Sequence, residues 1–379
     1  MELVTENGVT ASAAADEDRA QWRRPVLISV AIRTGYDDNF RTAPVPSGLW
    51  FTEEQLTLAY DRRDDRTEFS ILAGAGVIER YGQQPDENAS LVGSLNHHFT
   101  ERLSLQANMD AAYRADPDFS ANVGPTRRAG NYFRMVDQLS LTYQWSRRVS
   151  TVSSYSLGLI RYENAAVASF TDREEHTFGE EFRFEVFPTT VLTADYRFLV
   201  VDFFALARDS TTHYATFGVE HSFSQRLQAK VRMGASFRAF ERGGESVDPD
   251  FEGSVDYLLN RKSSVAWSIR YSVEQATTPE SFSQTTFRTG LQFRYEVTPR
   301  VSSAIGFNYH HDENQPLGSS GGTESISSVN AYELLLNVHY QINRCIALDL
   351  GFARSETNSD DPTQDYTRNR YSIGLSFTF

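Results

Sequence analysis

Histidine pairs are the residues of this sequence whose type and spacing come closest to metal or acid–base chemistry. His97–His98 is one pair, and the run His310–Glu313 joins two more histidines to Asp and Glu. Adjacent residues of a strand point to opposite faces, so a pair within a strand does not converge on one ion. The second run falls where a loop is predicted to begin and could bind a divalent cation there, but a solvated loop is the interpretation we favour. No metal site is predicted.

Nucleophilic catalysis finds no better support in the residue pattern. An esterase would need Ser, His and an acid close in space, and no local pattern marks one serine as special. The segments Gly74–Gly76 and Gly318–Gly322 lack the strand-to-helix context and following Lys of a phosphate loop. The single cysteine, Cys345, excludes an intrachain disulfide. We therefore predict no catalytic residue, no cofactor and no enzymatic activity.

Polar and apolar residues alternate along much of the chain, which predicts β-strands as the elements that position any functional side chain. The chain ends in a strictly alternating segment with one apolar face and one face of small or polar residues, which predicts a strand. That strand runs to the terminal residue, Phe379. A last strand ending in Phe resembles the C-terminal assembly signal of bacterial outer-membrane barrels. The residues of the predicted signal are Tyr371, Ile373, Leu375, Phe377 and Phe379.

The same alternation recurs along the chain in runs of about 12 to 15 residues, whereas globular strands average about 5 to 6. Short polar turns separate the runs roughly every 36 to 46 residues, one hairpin per period. The predicted short turns are Phe99–Leu103, Trp145–Val149, Phe187–Val191, Phe223–Leu227, Leu259–Lys262, Val297–Val301 and Ile342–Ile346, with a longer charged one at Tyr60–Phe69. The opposite ends are predicted to be long loops at Arg114–Gly130, Glu163–Arg173, Arg242–Pro249, His310–Ser325 and Ser355–Thr367.

Short turns at one end and long loops at the other predict an all-β, antiparallel, up-and-down transmembrane barrel of about 18 strands. The elements least clearly marked are the first hairpin, Val26–Asp61, and the strand near Ala73–Gly76, and if one hairpin does not form, the count falls to roughly 16. A propeller shares the period, but each of its blades needs four short strands rather than two long ones. We therefore favour the barrel.

Composition agrees with a membrane barrel. Aromatic residues make up 13% of the chain while its mean hydropathy is negative. No stretch approaches the roughly 18 to 20 apolar residues of a membrane helix. A barrel reconciles these facts because half of each strand faces water in the lumen. The net charge of −14 argues against nucleic acid as a partner.

The N-terminal segment is predicted to lie outside the barrel. We expect residues 1–25 to be a flexible periplasmic segment and residues 26–379 to form the barrel. The segment has no basic region followed by an apolar stretch, so no signal peptide is predicted. An outer-membrane protein needs one, and we expect that it has been removed or that Met1 is not the native start.

Charged residues on the polar faces of the strands are the candidate lining of a pore. Two interpretations stay open: cross-strand ion pairs that stiffen the wall, or opposed charges that orient polar solutes and set ion selectivity. Tyr214 and Phe240 are the aromatic residues most expected inside the lumen. The predicted pore-lining residues are Arg33, Arg183, Asp195, Arg197, Lys230, Arg232, Asp256, Arg270, Arg294, Glu333, Asp349 and Arg370. Aromatic residues beside the turns, predicted as a periplasmic girdle, are Tyr143, Trp145, Phe223, Tyr295, Tyr340 and Phe379.

The first strand adds a family resemblance. Val26–Thr34 followed by Gly35–Phe40, with its Tyr-Asp-Asp-Asn stretch, resembles the start of the putative β-barrel porin 2 family. The resemblance extends over most of the chain and implies an outer-membrane barrel. Some related barrels accompany exopolysaccharide export, and no defined substrate is implied. The absence of a predicted signal peptide departs from the family.

The predicted function is passive diffusion of small polar solutes or ions across the bacterial outer membrane. The Arg114–Gly130 loop, which carries Arg127-Arg128, is the best candidate to fold inward and narrow the pore. Alternatives are an exopolysaccharide conduit with periplasmic export partners, and a closed structural or adhesive barrel. The expected partners are outer-membrane lipid and the barrel-assembly machinery.

Overall fold

The protein forms a closed antiparallel β-barrel. The computed structural model describes residues 26–117, 119, 127–241, 244–276, 281–316 and 327–379. Their strands form one 18-stranded sheet in which sequence neighbours pair and β1 closes on β18, which confirms the predicted architecture and the first hairpin. Within this described part of the chain, no helix has the length and apolar character needed to cross a membrane. The predicted N-terminal segment 1–25 and the glycine-rich Gly318–Gly322 lie outside the described residues.

The elements in chain order are β1 (Val26–Asp37), β2 (Leu49–Arg63), β3 (Thr67–Arg80), β4 (Asp86–His98), β5 (Leu103–Arg114), β6 (Tyr132–Gln144), β7 (Val149–Tyr162), α1 (Ala165–Thr171), β8 (Arg173–Phe187), β9 (Thr190–Phe203), β10 (Ser210–Ser224), β11 (Leu227–Phe240), β12 (Glu245–Asn260), β13 (Ser263–Gln275), β14 (Ser281–Thr298), β15 (Val301–Pro316), β16 (Ser328–Gln341), β17 (Ile346–Ser359) and β18 (Tyr366–Thr378).

Pairing between the first and last strands closes the barrel. The register of β1 and β18 runs from Ser29 opposite Thr378 to Asp37 opposite Arg370. Beyond it, the Phe379 amide donates to the Ile28 carbonyl at 2.8 Å. A hydrocarbon medium offers backbone groups no partner, so closure is what lets strands span it. The role of the last strand as an assembly signal stays a prediction.

A repeated side-chain cap shapes the short turns. In the turn after β4, Thr100 Oγ1 accepts hydrogen bonds from the amides of Arg102 and Leu103 at 3.2 and 3.0 Å. The turn after β16 repeats the geometry, because Asn343 Oδ1 accepts from the amides of Cys345 and Ile346 at 2.9 and 3.0 Å. Such local bonds are what favour Ser, Thr, Asn and Asp in turns. They explain why these turns could be located from the sequence.

The same turns join neighbouring hairpins. The Arg102 carbonyl, in the turn after β4, accepts a hydrogen bond at 2.8 Å from the Gln144 amide at the end of β6 in the next hairpin. The Arg300 carbonyl accepts from Gln341 at 2.7 Å in the same way. Adjacent hairpins are therefore linked at the short-turn end by the turns as well as by the strands.

The long-loop end differs from the prediction. Parts of three predicted loops, Arg242–Pro249, His310–Ser325 and Ser355–Thr367, are strand in the structure. Their polar side chains keep the two-residue alternation, and strands that project into water pair as well as those in lipid. The segment Glu163–Arg173 was predicted as loop, but it contains α1, whose first turn is capped by Asn164 Oδ1 accepting from the Ala166 amide at 3.1 Å.

The prediction that a loop begins at His310 was therefore wrong. His310–Glu313 lies within β15, where the side chains alternate between faces. His310 and Asp312 are buried on the inner face, whereas His311 and Glu313 lie on the outer face. The four side chains of the run do not converge, so the cation site considered for a loop has no geometric basis.

The two faces of the barrel wall follow the sequence alternation. On β15, Ile305 and Phe307 point outward and are 41% and 37% exposed, while inward-pointing Ala304 is 7% exposed. Aromatic side chains at the short-turn end, such as Trp145 and Phe223, point outward and are more than half exposed, as expected of an interfacial girdle.

Face assignment generates a first prediction. Leu336→Arg or Phe293→Arg places a charge on the outer face and should destabilise the folded barrel by about 2 to 4 kcal/mol if the site is at the bilayer midplane. Asn337→Arg places the same charge on the inner face and should be tolerated. Unfolding titrations in lipid vesicles measure both, and equal tolerance of the two kinds of variant would contradict the assignment.

Candidate functional site

The loop between β5 and β6 folds into the lumen. Its Phe119 is 7% exposed and packs with Ala331 and Tyr366, while its ring lies 5.7 Å from that of His310. These partners belong to β15, β16 and β18, which lie far around the wall from β5 and β6. The described residues of the loop predicted to narrow the pore therefore cross the lumen.

A buried cluster of charges holds the loop in place. Asp116 of the loop contacts Arg368 at 3.2 Å and Arg370 at 3.8 Å, and Arg368 also contacts Asp37 at 2.6 Å. Burial alone raises the pKa of the Asp116 carboxyl, but the guanidiniums of Arg368, Arg128 and Arg370 outweigh it and hold that pKa well below its usual value of 3.8. A depressed pKa means that the carboxylate stabilises docking above that usual value and that this contribution is lost only as the pH falls towards the folded value.

The other end of the loop is also attached. The Arg128 amide donates to Thr42 Oγ1 at 2.6 Å, and its guanidinium pairs with Asp86. Arg127 donates to the Thr363 carbonyl at 3.2 Å, in the loop between β17 and β18. The loop is thus joined to several parts of the wall by polar contacts, in addition to the Phe119 contact.

Ion pairs line the wall beneath the loop on β8, β10 and β11. Arg183 contacts Glu181 at 2.5 Å and Glu220 at 2.6 Å. Arg232 pairs with the second oxygen of Glu181. A carboxylate that pairs with two guanidiniums holds both arginine side chains in position. The positions of the charges on this part of the wall are therefore fixed.

A second run of ion pairs continues across β9, β12 and β13. Arg197 contacts Asp195 at 2.9 Å and Glu252 at 3.6 Å. Arg270 contacts Glu252 and Glu274, each at 3.8 Å. Opposite charges alternate along the inner face, which agrees with the wall-stiffening interpretation for these residues.

The register places every predicted pore-lining residue on the inner face. Asp349 contacts His339 at 2.8 Å, and Glu333 accepts from Asn308 Nδ2 at 2.7 Å. The residues that take part in Arg–carboxylate pairs are Arg33, Arg183, Asp195, Arg197, Arg232, Arg270 and Arg370. Their functional role stays a prediction.

Acidic partners of these arginines were missed in the sequence. They are Glu53, Glu181, Glu220, Asp250, Glu252 and Glu274. The signal was present, because Glu181 precedes the predicted Arg183 by two residues and so shares its face. Following each strand in steps of two residues would have identified these acids.

Arg294 differs from the paired arginines. Among the described residues it has no ion pair, and its Nε has no hydrogen-bond partner. Its register neighbours are Ser264 on β13 and Ala304 on β15, neither of which carries a charge. Within the described part of the chain, Arg294 therefore presents to the lumen a guanidinium that is in ion-pair contact with no carboxylate.

Among the described residues, two cavities are identified in the lumen on the short-turn side of the loop. The larger, of about 850 Å³, extends from the Gln225–Arg226 turn to Phe119. The smaller, of about 380 Å³, lies beside β12 to β17 and is lined by Glu53, Asp349 and Arg370 among others. Arg294 lines both cavities, so it lies where they adjoin.

Aromatic residues on the inner face are covered by arginines. Tyr214 and Phe240, predicted inside the lumen, do lie on the inner face. In three described pairs, the guanidinium of an arginine lies over the ring of an inner-face aromatic residue and makes a cation–π contact with it. Less of the ring face is then accessible to a solute. The pairs are Tyr214 with Arg197 at 5.0 Å, Phe240 with Arg238 at 5.9 Å and Phe51 with Arg370 at 4.4 Å.

One mixed cluster lies on the outer face at the long-loop end. Potential ligand atoms of Glu174, His176 and Asp202 lie within 4.8 Å of one another. The cluster was missed because it forms only when Glu174 of β8 pairs with Asp202 of β9. It lies outside the lumen, and the expectation of no metal site stays a prediction.

Comparisons with known proteins agree with this architecture. A family profile described as putative beta-barrel porin 2 matches residues 28–379. No curated protein matches the chain. Pseudomonas aeruginosa OccK2 (OpdF), solved with glucuronate, is 11% identical, with a TM-score of 0.50 over 93% of this chain and 98% of that one. Pseudomonas aeruginosa OccK5 (OpdH) is 14% identical, with a TM-score of 0.47 and the same coverage of each chain.

The docked loop generates a second prediction. Asp116→Ala with Phe119→Ala removes the ionic and aromatic contacts together, and breaking a buried charge pair costs about 3 to 5 kcal/mol. The loop should leave the lumen, so the single-channel conductance in a planar bilayer should rise. Glu87→Ala, which removes an exposed carboxylate at the same end of the barrel, is the matched control. Unchanged conductance in a folded double variant would show that the loop does not limit the pore.

Proposed function

Because the chain belongs to the putative β-barrel porin 2 family, it is a porin-like channel of the bacterial outer membrane, and we propose that its lumen prefers small anionic solutes. The observation that carries this preference is the charge of the larger cavity. Most of the charged residues that line it are basic, although the whole chain is acidic, with a net charge of −14. The basic lining residues are Arg226, Lys230, Arg232, Arg270, Arg288 and Arg294, against the acidic Glu252, Asp256 and Glu274.

The location of these charges supports the proposal. Glu252 and Glu274 are engaged by Arg270, so these three charges largely offset one another at the cavity surface. Arg294 has no such partner and lies at the junction of the two cavities. A low-dielectric wall focuses the field of an unpaired charge into the water between the walls. An anion that crosses this part of the lumen therefore meets an uncompensated guanidinium.

Arginines at the mouth extend the same field. Every short turn except Pro188–Thr189 contains Arg or Lys. Arg226 of one such turn lines the larger cavity, and Arg300 of another lines the smaller. Acidic residues are concentrated instead at the long-loop end, as in Asp360-Asp361. Positive charge is thus concentrated at the short-turn end of the barrel and negative charge at the long-loop end. This gradient favours anions in the half of the lumen nearest the short turns.

The cavity volumes and the docked loop support small solutes. Cavities of about 850 and 380 Å³ are in the range that encloses metabolite-sized molecules. Passive diffusion needs no catalytic group, and we propose none. The arginine-covered rings do not favour a track for sugar stacking, so a polysaccharide conduit is the weaker alternative. Outer-membrane lipid and the barrel-assembly machinery remain the partners we propose.

Ion selectivity generates a third prediction. Under a KCl gradient across a planar bilayer, the reversal potential should report preference for chloride. Arg294→Gln should reduce that preference, because a unit charge at about 5 Å in water changes the energy of an ion by about 0.8 kcal/mol, roughly a fourfold change in its occupancy. Reversal potentials of the wild type and the variant in the same lipid measure the effect.

Controls separate the role of Arg294 from that of arginine in general. Arg62→Gln removes a guanidinium that is 68% exposed at the short-turn end, outside both cavities, and should leave selectivity unchanged. Cation preference in the wild type would contradict the proposed anion preference. A non-conducting folded barrel would instead favour the closed structural alternative.

A further inference from the structure

The lipid-facing surface contains an unexpected group of polar side chains. They lie on β6 to β10, and we call them the outer polar patch. Their neighbours on the same face are apolar, for example Leu139, Phe178 and Phe217. The patch consists of Asp137, Tyr155, His176, Glu180, Tyr196 and His213.

Both carboxylates of the patch lie at the depth of the apolar band. On β6, outward-facing Phe133 and Tyr143 bracket Asp137, which lies six residues from Tyr143. At about 3.3 Å per residue and about 40° of tilt, Asp137 is about 15 Å from that ring, within an apolar band about 25 Å tall. On β8, Glu180 lies between outward-facing Phe178 and Phe182.

Contacts within one barrel do not satisfy the acids. Among the described residues, Glu180 accepts a single hydrogen bond, from Ser153 Oγ at 2.6 Å. Asp137 has Met109 and Leu157 as its register neighbours, and its buried Oδ1 has no hydrogen-bond partner in the same part of the chain. Lipid tails supply no donor, and ionisable groups inside a membrane almost always pair with protein or water. The outer polar patch is thus unsuited to a barrel surrounded by lipid on all sides.

Hydrogen-bonding groups of the opposite kind lie on the same face. The Tyr155 hydroxyl and His176 Nδ1 are 2.9 Å apart, and the Tyr196 hydroxyl and His213 Nδ1 are 2.7 Å apart. His213 therefore has one nitrogen that Tyr196 does not use, whereas the second nitrogen of His176 lies 3.6 Å from Glu174 Oε1. The patch offers both carboxylate acceptors and imidazole donors, so it is chemically complementary to a copy of itself.

We infer that the outer polar patch is the contact surface between copies of this chain in the membrane. In a dimer whose two-fold axis is parallel to the membrane normal, the acids of one patch meet the imidazoles and hydroxyls of the other. The acid at the β6 side of the patch is Asp137, and the imidazole at its β10 side is His213, so facing patches bring unlike groups together. A second copy supplies donors at the required depth, which neither lipid nor bulk water does.

Glu54 provides an internal comparison. It also points outward in the apolar band, between Trp50 and Leu58 on β2, and its register neighbours are Ile32 and Val77. It is a carboxylate on the outer face two residues from Thr52, and β1, β2 and β3 contain no histidine that could serve as its counterpart. A substitution at Glu54 therefore shows the effect of removing a carboxylate from the outer face at a position outside the patch.

The test measures the oligomeric state in nanodiscs by native mass spectrometry. The wild type should be oligomeric, and Asp137→Leu with Glu180→Leu should lose the oligomer and leave monomer. Glu54→Leu should keep it, and the conservative Asp137→Asn with Glu180→Gln should retain part of it. Heat-modifiable migration on gels shows that each barrel is folded. A monomeric wild type, or an oligomer that survives the double Leu substitution, would overturn the inference.

Cross-linking in native membranes gives an independent answer. In a Cys345→Ser background, Ser153→Cys places the sole thiol beside Glu180, and Glu54→Cys places it outside the patch. Mild oxidation should link Ser153→Cys chains into disulfide-bonded dimers and should not link Glu54→Cys chains. Equal linking of the two, or of neither, would contradict a contact through the patch.

Discussion

The demand that every backbone amide and carbonyl find a partner in a hydrocarbon medium is the constraint on which this structure depends. It excludes an open sheet, because the edges of one would present unpaired groups to lipid. Here the edges are β1 and β18, and they pair along their length up to the mutual contact of Ile28 and Phe379. The short turns add a second level of closure, because their carbonyls accept hydrogen bonds from the ends of the next hairpins. The barrel wall is thereby a continuous hydrogen-bonded surface without free edges.

A wall stabilised in this way leaves the inner face free to carry charge. In a soluble protein of this size, a packed apolar core would occupy the interior. The interior of this barrel instead holds guanidiniums and carboxylates, most of which neutralise one another, as Arg183 and Arg197 do with their acidic neighbours. Against that balanced background, Arg294 is distinguished by having no ion pair among the described residues, and we propose that it contributes to the selectivity of the lumen. The described residues of the loop from β5 to β6 then cross the lumen, and the cluster around Asp116 and Arg368 determines where they dock.

Departures from the simple rule of apolar outside and polar inside are informative because each has an energetic cost. Phe119 lies inside the lumen, where water would otherwise be, and its cost is offset by packing against Ala331 and Tyr366. Asp137 and Glu180 lie on the outer face, where lipid would otherwise be. Contacts within one barrel do not offset the energetic cost of placing these two carboxylates there. Places where sequence and environment disagree are where function is expected. In this protein they are the constriction of the lumen and one side of the outer wall.

Much of this protein could be read from its sequence. The strict alternation, the strand lengths and the capped turns determine the barrel, its strand number, its short-turn end and the face of each side chain, because these properties depend on residues close together in the chain. Family membership followed from the same local signals. The alternation also places the acidic partners of the pore arginines on the inner face. They could have been identified by following each strand in steps of two residues.

Tertiary structure decided what depends on residues far apart in sequence. Polar composition alone did not distinguish a loop from a strand projecting into water, so β12, β15 and β17 extend beyond their predicted ends. Pairing of Asp116 with Arg368, or of Arg270 with Glu252, follows from register and from the path of a loop across the lumen. The isolation of Arg294 and the grouping of Asp137 with Glu180 on one side of the barrel are likewise results of closure. Local chemistry sets the face to which a residue points, and only the closed sheet sets which charges meet there.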